Sequence, residues 1–178
     1  MGCSAHHLDF AGTLSIQDET FHAIVADLVR SLARGGFRRI VLLPSHGGNF
    51  APLAVALEKL GPVEGVRLMG LTDLTALMRI AAVGEREHGV PLGEGGLHAG
   101  EWETSMMLSV HPELVNMSQA EAGFTGELQE ALERLLADGT KALSENGAIG
   151  DPASASAEHG RRYWEVALET AMARIEGG

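Results

Sequence analysis

The 178-residue chain has a single cysteine, Cys3, so no intrachain disulfide can form and a cysteine-rich metal centre is excluded. A lone thiol suits a reducing compartment, and a cytoplasmic location is the expectation. Basic residues are also scarce: 13 Lys and Arg stand against 24 Asp and Glu, a formal net charge of −11. Such a chain offers no field to attract a phosphate backbone or an anionic bilayer, which argues against nucleic acid and membrane as partners. No apolar run approaches the ~20 residues that a membrane-spanning helix needs. The start, MGCSAHHLDFAG, lacks a basic segment followed by an apolar one, and His6 stands where a myristoylation signal wants Ser or Thr. Aromatics are 4% of the residues, leaving few platforms on which a nucleobase or sugar could stack.

What is present is enough for one core. Apolar residues are 45% of the chain, no repeat or low-complexity tract interrupts it, and a single domain over residues 1–178 is expected. Phe21, Ile24, Val25, Leu28 and Leu32 recur with the helical period. Ser15 and Asp18 lie upstream in the spacing of a capping box, and Gly35-Gly36 ends the pattern. Ile40-Val41-Leu42-Leu43 is a short continuous apolar run, as in a strand buried on both faces. Leu53, Leu57 and Leu60 mark a second helix, and Val66-Arg67-Leu68-Met69 a second strand. The order helix, strand, helix, strand predicts an α/β sheet with parallel strands.

Beyond Thr72 a mixed segment, helical in part, runs to His88; Gly89 to Gly100 holds five glycines and reads as a loop, with a helix opening near Glu101. Leu128, Ala131, Leu132 and Leu135 predict another amphipathic helix, Asn146-Gly147 and Gly150-Asp151-Pro152 supply turn chemistry, and Trp164, Leu168, Ala171 and Ile175 line one stripe of a last helix.

Two polar clusters could carry chemistry. Ser45-His46-Gly47-Gly48-Asn49 directly follows the first strand, and in α/β sheets ligands bind beyond the carboxyl ends of strands. His46 reads equally as a turn residue bonded to nearby backbone or as a metal-binding imidazole. The second cluster, His98-Ala99-Gly100-Glu101-Trp102-Glu103-Thr104-Ser105, packs one imidazole and two carboxylates into a loop-to-helix junction. Carboxylates at a helix start are favoured by the macrodipole by ~0.3–1 kcal/mol in any case, so a structural role competes with a ligand role. Glu101 and Glu103 point to different faces of such a helix, so one of them is the ligand candidate and the other a cap. Trp102 reads either as core or as a contact for a flat ring. His22, His88, His111 and His159 sit in polar or turn contexts and are read as solvated. His6 and His7 are neighbours that point apart in an extended chain, which argues against a chelate there.

The two clusters, in this order, resemble the Asn-Gly-His-Gly-Gly-Asn loop and the His-Ala-Gly-x-x-Glu-Thr-Ser motif of the creatininase (creatinine amidohydrolase) family. Gly2-Cys3-Ser4-Ala5-His6-His7 with Phe10-Ala11-Gly12-Thr13 is similar to its Gly-x-Ser-x-Glu-His and Phe-Pro-Gly-Thr segment, and Asn146 to Pro152 to its late turn. The resemblance covers essentially the whole chain. It implies a three-layer α/β/α sandwich with a mostly parallel sheet, a homo-oligomer, and two divalent ions, zinc or manganese, serving hydrolysis of a cyclic amide or another small C–N substrate. By position, it makes His46 a metal ligand, Glu103 the carboxylate of the second metal, and His98 the proton donor to the leaving nitrogen. Beside these, Asn49 and Trp102 are the candidate substrate-binding residues.

The chain departs from the pattern in places. Gly48 stands where the creatininase proper has a ligand Glu, Pro44-Ser45 replaces Asn-Gly, and His6 replaces Glu. The family's first metal motif, Glu-x-His followed by an Asp, lies upstream of the Gly-x-Ser segment, and no Glu-x-His precedes His46. The expectation is therefore an N-terminally truncated family domain with weak metal binding, little hydrolysis by this chain alone, and an exposed sheet edge that pairs with another copy. The alternative is a non-catalytic, degenerate subunit or gene fragment with a structural or oligomerisation role.

Overall fold

The computed structural model describes residues 2–177. They form two compact units: the residues up to Asp73 joined by those from Ala171 onward, and Leu74–Thr170.

The first unit contains α1 (Asp18–Arg34), β1 (Arg39–Leu42), α2 (Phe50–Leu60) and β2 (Arg67–Gly70). The strands pair in parallel, Arg39 opposite Arg67 and Leu42 opposite Gly70, with α2 as the connection between them. This is the α/β order that the sequence predicts. Val25 and Val29 of α1 meet Ile40, Leu53 and Ala56 in the core, flanked by Phe21, Leu42, Leu57 and Leu68. Gly70 lets β2 run against α2, since a Cβ there would lie 2.4 Å from Leu57 Cδ1. Arg39 donates a hydrogen bond to the Ile175 carbonyl, tying in the last turns of the chain.

Several local expectations change. The buried face of α1 follows Phe21, Val25 and Val29, while Ile24, Leu28 and Leu32 are exposed, because periodicity marks two adjacent apolar stripes without saying which one meets the strands. The capping box does not form: Gln17 precedes the helix with no side-chain cap, and Ser15 Oγ accepts the Ser4 N–H at 2.9 Å instead. Along β1 only Ile40 is fully buried and Leu43, just beyond it, is exposed, so the run is not covered on both faces.

The second unit contains α3 (Thr75–Val83), which continues into a π-helical turn at Gly84–His88, then α4 (Leu92–Gly95), α5 (Glu101–Val110), α6 (Leu128–Asp138) and α7 (Thr140–Leu143). The last helix, α8 (Ala157–Gly177), counts with this unit as far as Thr170. One core gathers Ile80, Ala81, Val83, Trp102, Tyr163 and Val166; another gathers Ala131, Leu135, Leu143 and Ile149. The glycine-rich stretch read as a loop contains α4, whose Gly95 lies under the Trp102 ring, 2.0 Å from where a Cβ would stand. The buried face of α8 is Gly160, Tyr163, Val166 and Thr170, so the Trp164 and Leu168 stripe faces outward. Gly160 decides this: a Cβ there would lie 1.8 Å from the Ser105 carbonyl oxygen, so α5 and α8 meet backbone to backbone. Among the described residues no helix is long and apolar enough to cross a membrane.

Candidate functional site

β1 is followed by Leu43-Pro44-Ser45, and proline cannot extend a ladder, so the chain turns. His46 is extended, and Gly47–Asn49 form a single 3-10 turn that leads into α2. The His46 ring folds back onto the segment at residues 2–7. Its Nε2 lies 3.2 Å from the Cys3 carbonyl oxygen and 3.1 Å from Ser4 Oγ. A carbonyl oxygen only accepts, so Nε2 carries the proton and Nδ1 keeps the lone pair. Asn49 Oδ1 accepts the Cys3 N–H at 2.9 Å, fixing the same segment from the other side of the turn. Gly48 leaves room for all of this, since a Cβ would stand 2.4 Å from His46 Nε2, 2.5 Å from the Cys3 oxygen and 2.9 Å from His6 Cε1.

Residues Ala5–His7 are not extended but form a 3-10 turn, so the adjacent rings lie together instead of pointing apart. The His6 and His7 ring centroids are 4.1 Å apart, and the His46 ring lies 5.8 Å from the first and 6.0 Å from the second. Burial and then the neighbouring imidazoles hold both below the usual histidine value, His7 at about 4. The Cys3 thiol is pushed up to about 11, first by burial and then by its hydrogen bond to Asp18, so it is no ready nucleophile.

The second cluster lies where α5 begins. Ala99 has φ +49, a left-handed conformation that a non-glycine residue adopts only when held there. Glu103 Oε2 accepts the Ala99 N–H at 2.8 Å and Thr104 Oγ1 donates to the Ala99 carbonyl at 3.3 Å, and together they hold it. Glu103 thus reaches back from the third helical position in the manner of a capping carboxylate, and it is exposed. His98 is half-buried, its backbone bridged to Ile149 by N–H to O bonds of 3.2 and 2.8 Å.

Glu101 has the opposite surroundings. It is 0% exposed, with Oε1 accepting from Ser105 Oγ and His159 Nδ1 at 2.7 Å each and Oε2 accepting from the Tyr163 hydroxyl at 2.8 Å. Burial and then the bond to Glu101 push the Tyr163 phenol above its ordinary range. His159 stacks on His88 at 3.9 Å between ring centroids; burial lowers the His88 value, and its Nε2 is buried without a hydrogen-bond partner among the described residues. Trp102 is 2% exposed in the core, the alternative weighed for it, and its indole N–H also lacks a hydrogen-bond partner among the described residues. This knot was missed in the sequence. His159 lies 58 residues from Glu101, and nothing local distinguishes it from a solvated histidine.

The family's metals impose a test on these donors. Neither unit, over its described residues, brings three or more His, Cys, Asp or Glu side chains together in a group that could hold a metal ion. Glu101 is closed off by its three donors. His46 and Glu103 are each engaged with backbone in their own units. As they stand, the donors do not complete a metal centre, since catalytic zinc sites usually take three protein ligands.

The creatininase family model, described as creatinine amidohydrolase, matches residues 1–175. The mycofactocin precursor peptide peptidase of Mycobacterium ulcerans (strain Agy99) is 32% identical over 176 residues, covering 98% of this chain and 62% of that protein. The protein of the same name from Mycobacterium tuberculosis (strain ATCC 25618 / H37Rv) is 33% identical over 174 residues with the same coverage. The creatinine amidohydrolase of Pseudomonas putida is 30% identical over 118 residues, 62% of this chain and 45% of that protein. A solved manganese form of creatininase superposes with a TM-score of 0.69 at 24% identity, over 94% of this chain and 67% of that one. This chain therefore spans about 62% of the length of the mycobacterial relatives it matches.

Proposed function

The chain belongs to the creatininase family, and from that premise we propose that it serves a metal-dependent hydrolase of a C–N bond, with His46 and Glu103 as metal ligands and His98 as proton donor. The observation that carries the reading is the His46 turn, which closes a parallel strand onto α2 at its carboxyl end, where α/β sheets bind ligands. The family match along residues 1–175 supports it. The relatives that match over 98% of the chain are named for a peptide substrate, and the Pseudomonas putida creatinine amidohydrolase matches over 62%. A peptide-type amide is accordingly favoured over a cyclic one. Asn49 lies within the turn and is the proposed substrate contact.

Zinc and manganese forms of creatininase are among the solved structures similar to this chain. His46 and Glu103 are two donors where three are usual, so hydrolysis by this chain alone is expected to be weak. Its own residues contribute a proton and its placement. The His98 backbone is fixed against Ile149, and a half-buried imidazole can protonate an amine as it leaves. Assembly as a homo-oligomer belongs to the same reading and is checked by light scattering.

The test is metal content per chain after loading with zinc or manganese, with hydrolysis of a short peptide and of creatinine followed in parallel. His46→Ala and Glu103→Gln are each expected to lower retained metal at least tenfold. A second reading, a non-catalytic subunit of the same fold, is favoured by the absence of a three-donor group among the described residues. Metal content unchanged by both substitutions would establish it and sink the first.

A further inference from the structure

We infer that the stacked His88 and His159 rings form a proton-operated latch: uptake of a proton by His88 opens the π-helical turn at Gly84–His88 and loosens the hold of α8 on the start of α5. The inference goes beyond the hydrolase reading and does not rest on it, because it concerns the packing around Glu101 and neither His46 nor Glu103.

His159 reaches Glu101 Oε1 through Nδ1 at 2.7 Å, and a carboxylate oxygen accepts, so that nitrogen carries the hydrogen. The His88 ring lies on the His159 ring with 3.9 Å between centroids and 15° between planes, and the Tyr163 ring meets it edge-on at 5.6 Å. His88 Nε2 is buried and has no hydrogen-bond partner among the described residues. As a lone pair it lacks only a donor. As the N–H of an imidazolium it becomes a charged donor with no acceptor, pressed against a second imidazole, and an unpaired charged group costs more than a neutral one. The stack therefore accommodates His88 in its neutral form.

The charged groups nearby set the direction. Glu101 of α5, Glu87 of the same turn and Glu158 of α8 favour the charged ring, but burial and then the neighbouring His159 outweigh them and hold His88 below the ordinary histidine value. Glu87 is itself engaged by Arg86 and Arg162, and Glu94, the one titratable side chain of α4, which also packs on the turn, is not among the groups that act on His88. A ring whose value is lowered in the closed form binds its proton more tightly once released. The closed form thus has its full advantage above about pH 6.5 and loses it as pH falls toward the lowered value. The turn is the part that yields: π-helical geometry is rare, and here it is closed by the Val90 N–H on the Gly84 carbonyl at 3.0 Å, beside Gly89 at φ +68. Release of His88 removes the ring that covers His159 and so weakens its grip on Glu101, the residue from which α5 starts.

The experiment is a pH titration of the isotope-labelled full chain by NMR, from about pH 8 to about pH 5, the range in which histidines change charge. Ring resonances report the protonation of His88, and hydrogen exchange, corrected for its intrinsic pH dependence, reports protection at the Val90 amide. His88 is expected to take up its proton below the ordinary 6.5. Val90 protection should fall in step, by as much as about tenfold per pH unit, the limit for one proton. The Gly61 amide, bonded to the Leu57 carbonyl at the end of α2, should keep its protection. His88→Phe keeps a flat ring on His159 and removes the proton, so Val90 protection should no longer change over this range. His111→Ala, at an exposed histidine, should leave the wild-type profile intact. Protection that stays constant while His88 is protonated overturns the inference, as does a fall that persists in His88→Phe or that Gly61 shares equally. The first and last of these outcomes are read on the wild-type chain, so they decide the matter even where the variant does not fold. Metal content per chain, by which the hydrolase reading is judged, is moved by none of them.

Discussion

Glu101 at the start of α5 and His46 just beyond β1 each sit next to a glycine at the edge of a regular element, yet their surroundings are opposite. Glu101 has no exposure and accepts from two hydroxyls and an imidazole. His46 is half-buried, bonded to one carbonyl and one hydroxyl, with two further imidazoles beside it. A buried carboxylate whose oxygens are already engaged contributes to stability and cannot take a new partner without leaving a donor stranded. A half-buried imidazole with a lone pair can exchange partners at little cost. The comparison places architecture at Glu101 and exchangeable chemistry at the histidine turn, although the motifs carrying them are equally polar in sequence.

Breaking the sealed side should have the largest effect. Glu101→Ala strands the His159, Tyr163 and Ser105 donors and is expected to cost about 3–5 kcal/mol in urea unfolding. A loss below ~1 kcal/mol would mean that the knot is incidental. Gly160→Ala attacks the same junction through sterics: its Cβ meets the Ser105 carbonyl, and about 1–3 kcal/mol should be lost as α5 and α8 separate. On the open side, His46→Ala should cost under ~1 kcal/mol, because the bonds it removes are partly hydrated. An effect as large as that of Glu101→Ala would erase the contrast.

The smallest effect is expected at an exposed ion pair. The Arg162 and Arg86 guanidiniums bonded to Glu87 hold its carboxyl at about 2, below the ordinary 4.5. A depressed carboxyl contributes stability that is fully present above its unfolded value and lost as pH falls through its folded one. Glu87→Gln should therefore flatten the decline in melting temperature between about pH 4.5 and 2 and change little at neutrality. A decline of unchanged slope would mean that other carboxylates carry it.

Much of the architecture was legible because it is local. The short runs at 40–43 and 66–69 located both strands to within a residue, and the 3.6 period at 53–60 and 128–135 located helices. Glycine-rich punctuation located both clusters, although α4 was hidden within it. The stripe chosen for burial on α1 and α8 was not legible, because both helices carry apolar residues on adjacent faces and the choice depends on what packs against them. Gly160 on α8 settles that choice through a backbone contact. For the candidate site, residue types and order were readable, whereas the tautomer of His46, the turn that gathers His6 and His7, and the division of labour between Glu101 and Glu103 were not.

By itself the sequence determined the α/β order, the family, and which imidazoles and carboxylates stand at element ends, since period, punctuation and motif are properties of neighbouring residues. Which of those groups are sealed and which stay open was settled by folding. Burial and hydrogen-bond saturation depend on partners that the chain supplies from far away, as His159 and Tyr163 do for Glu101, and as Cys3 and Ser4 do for His46.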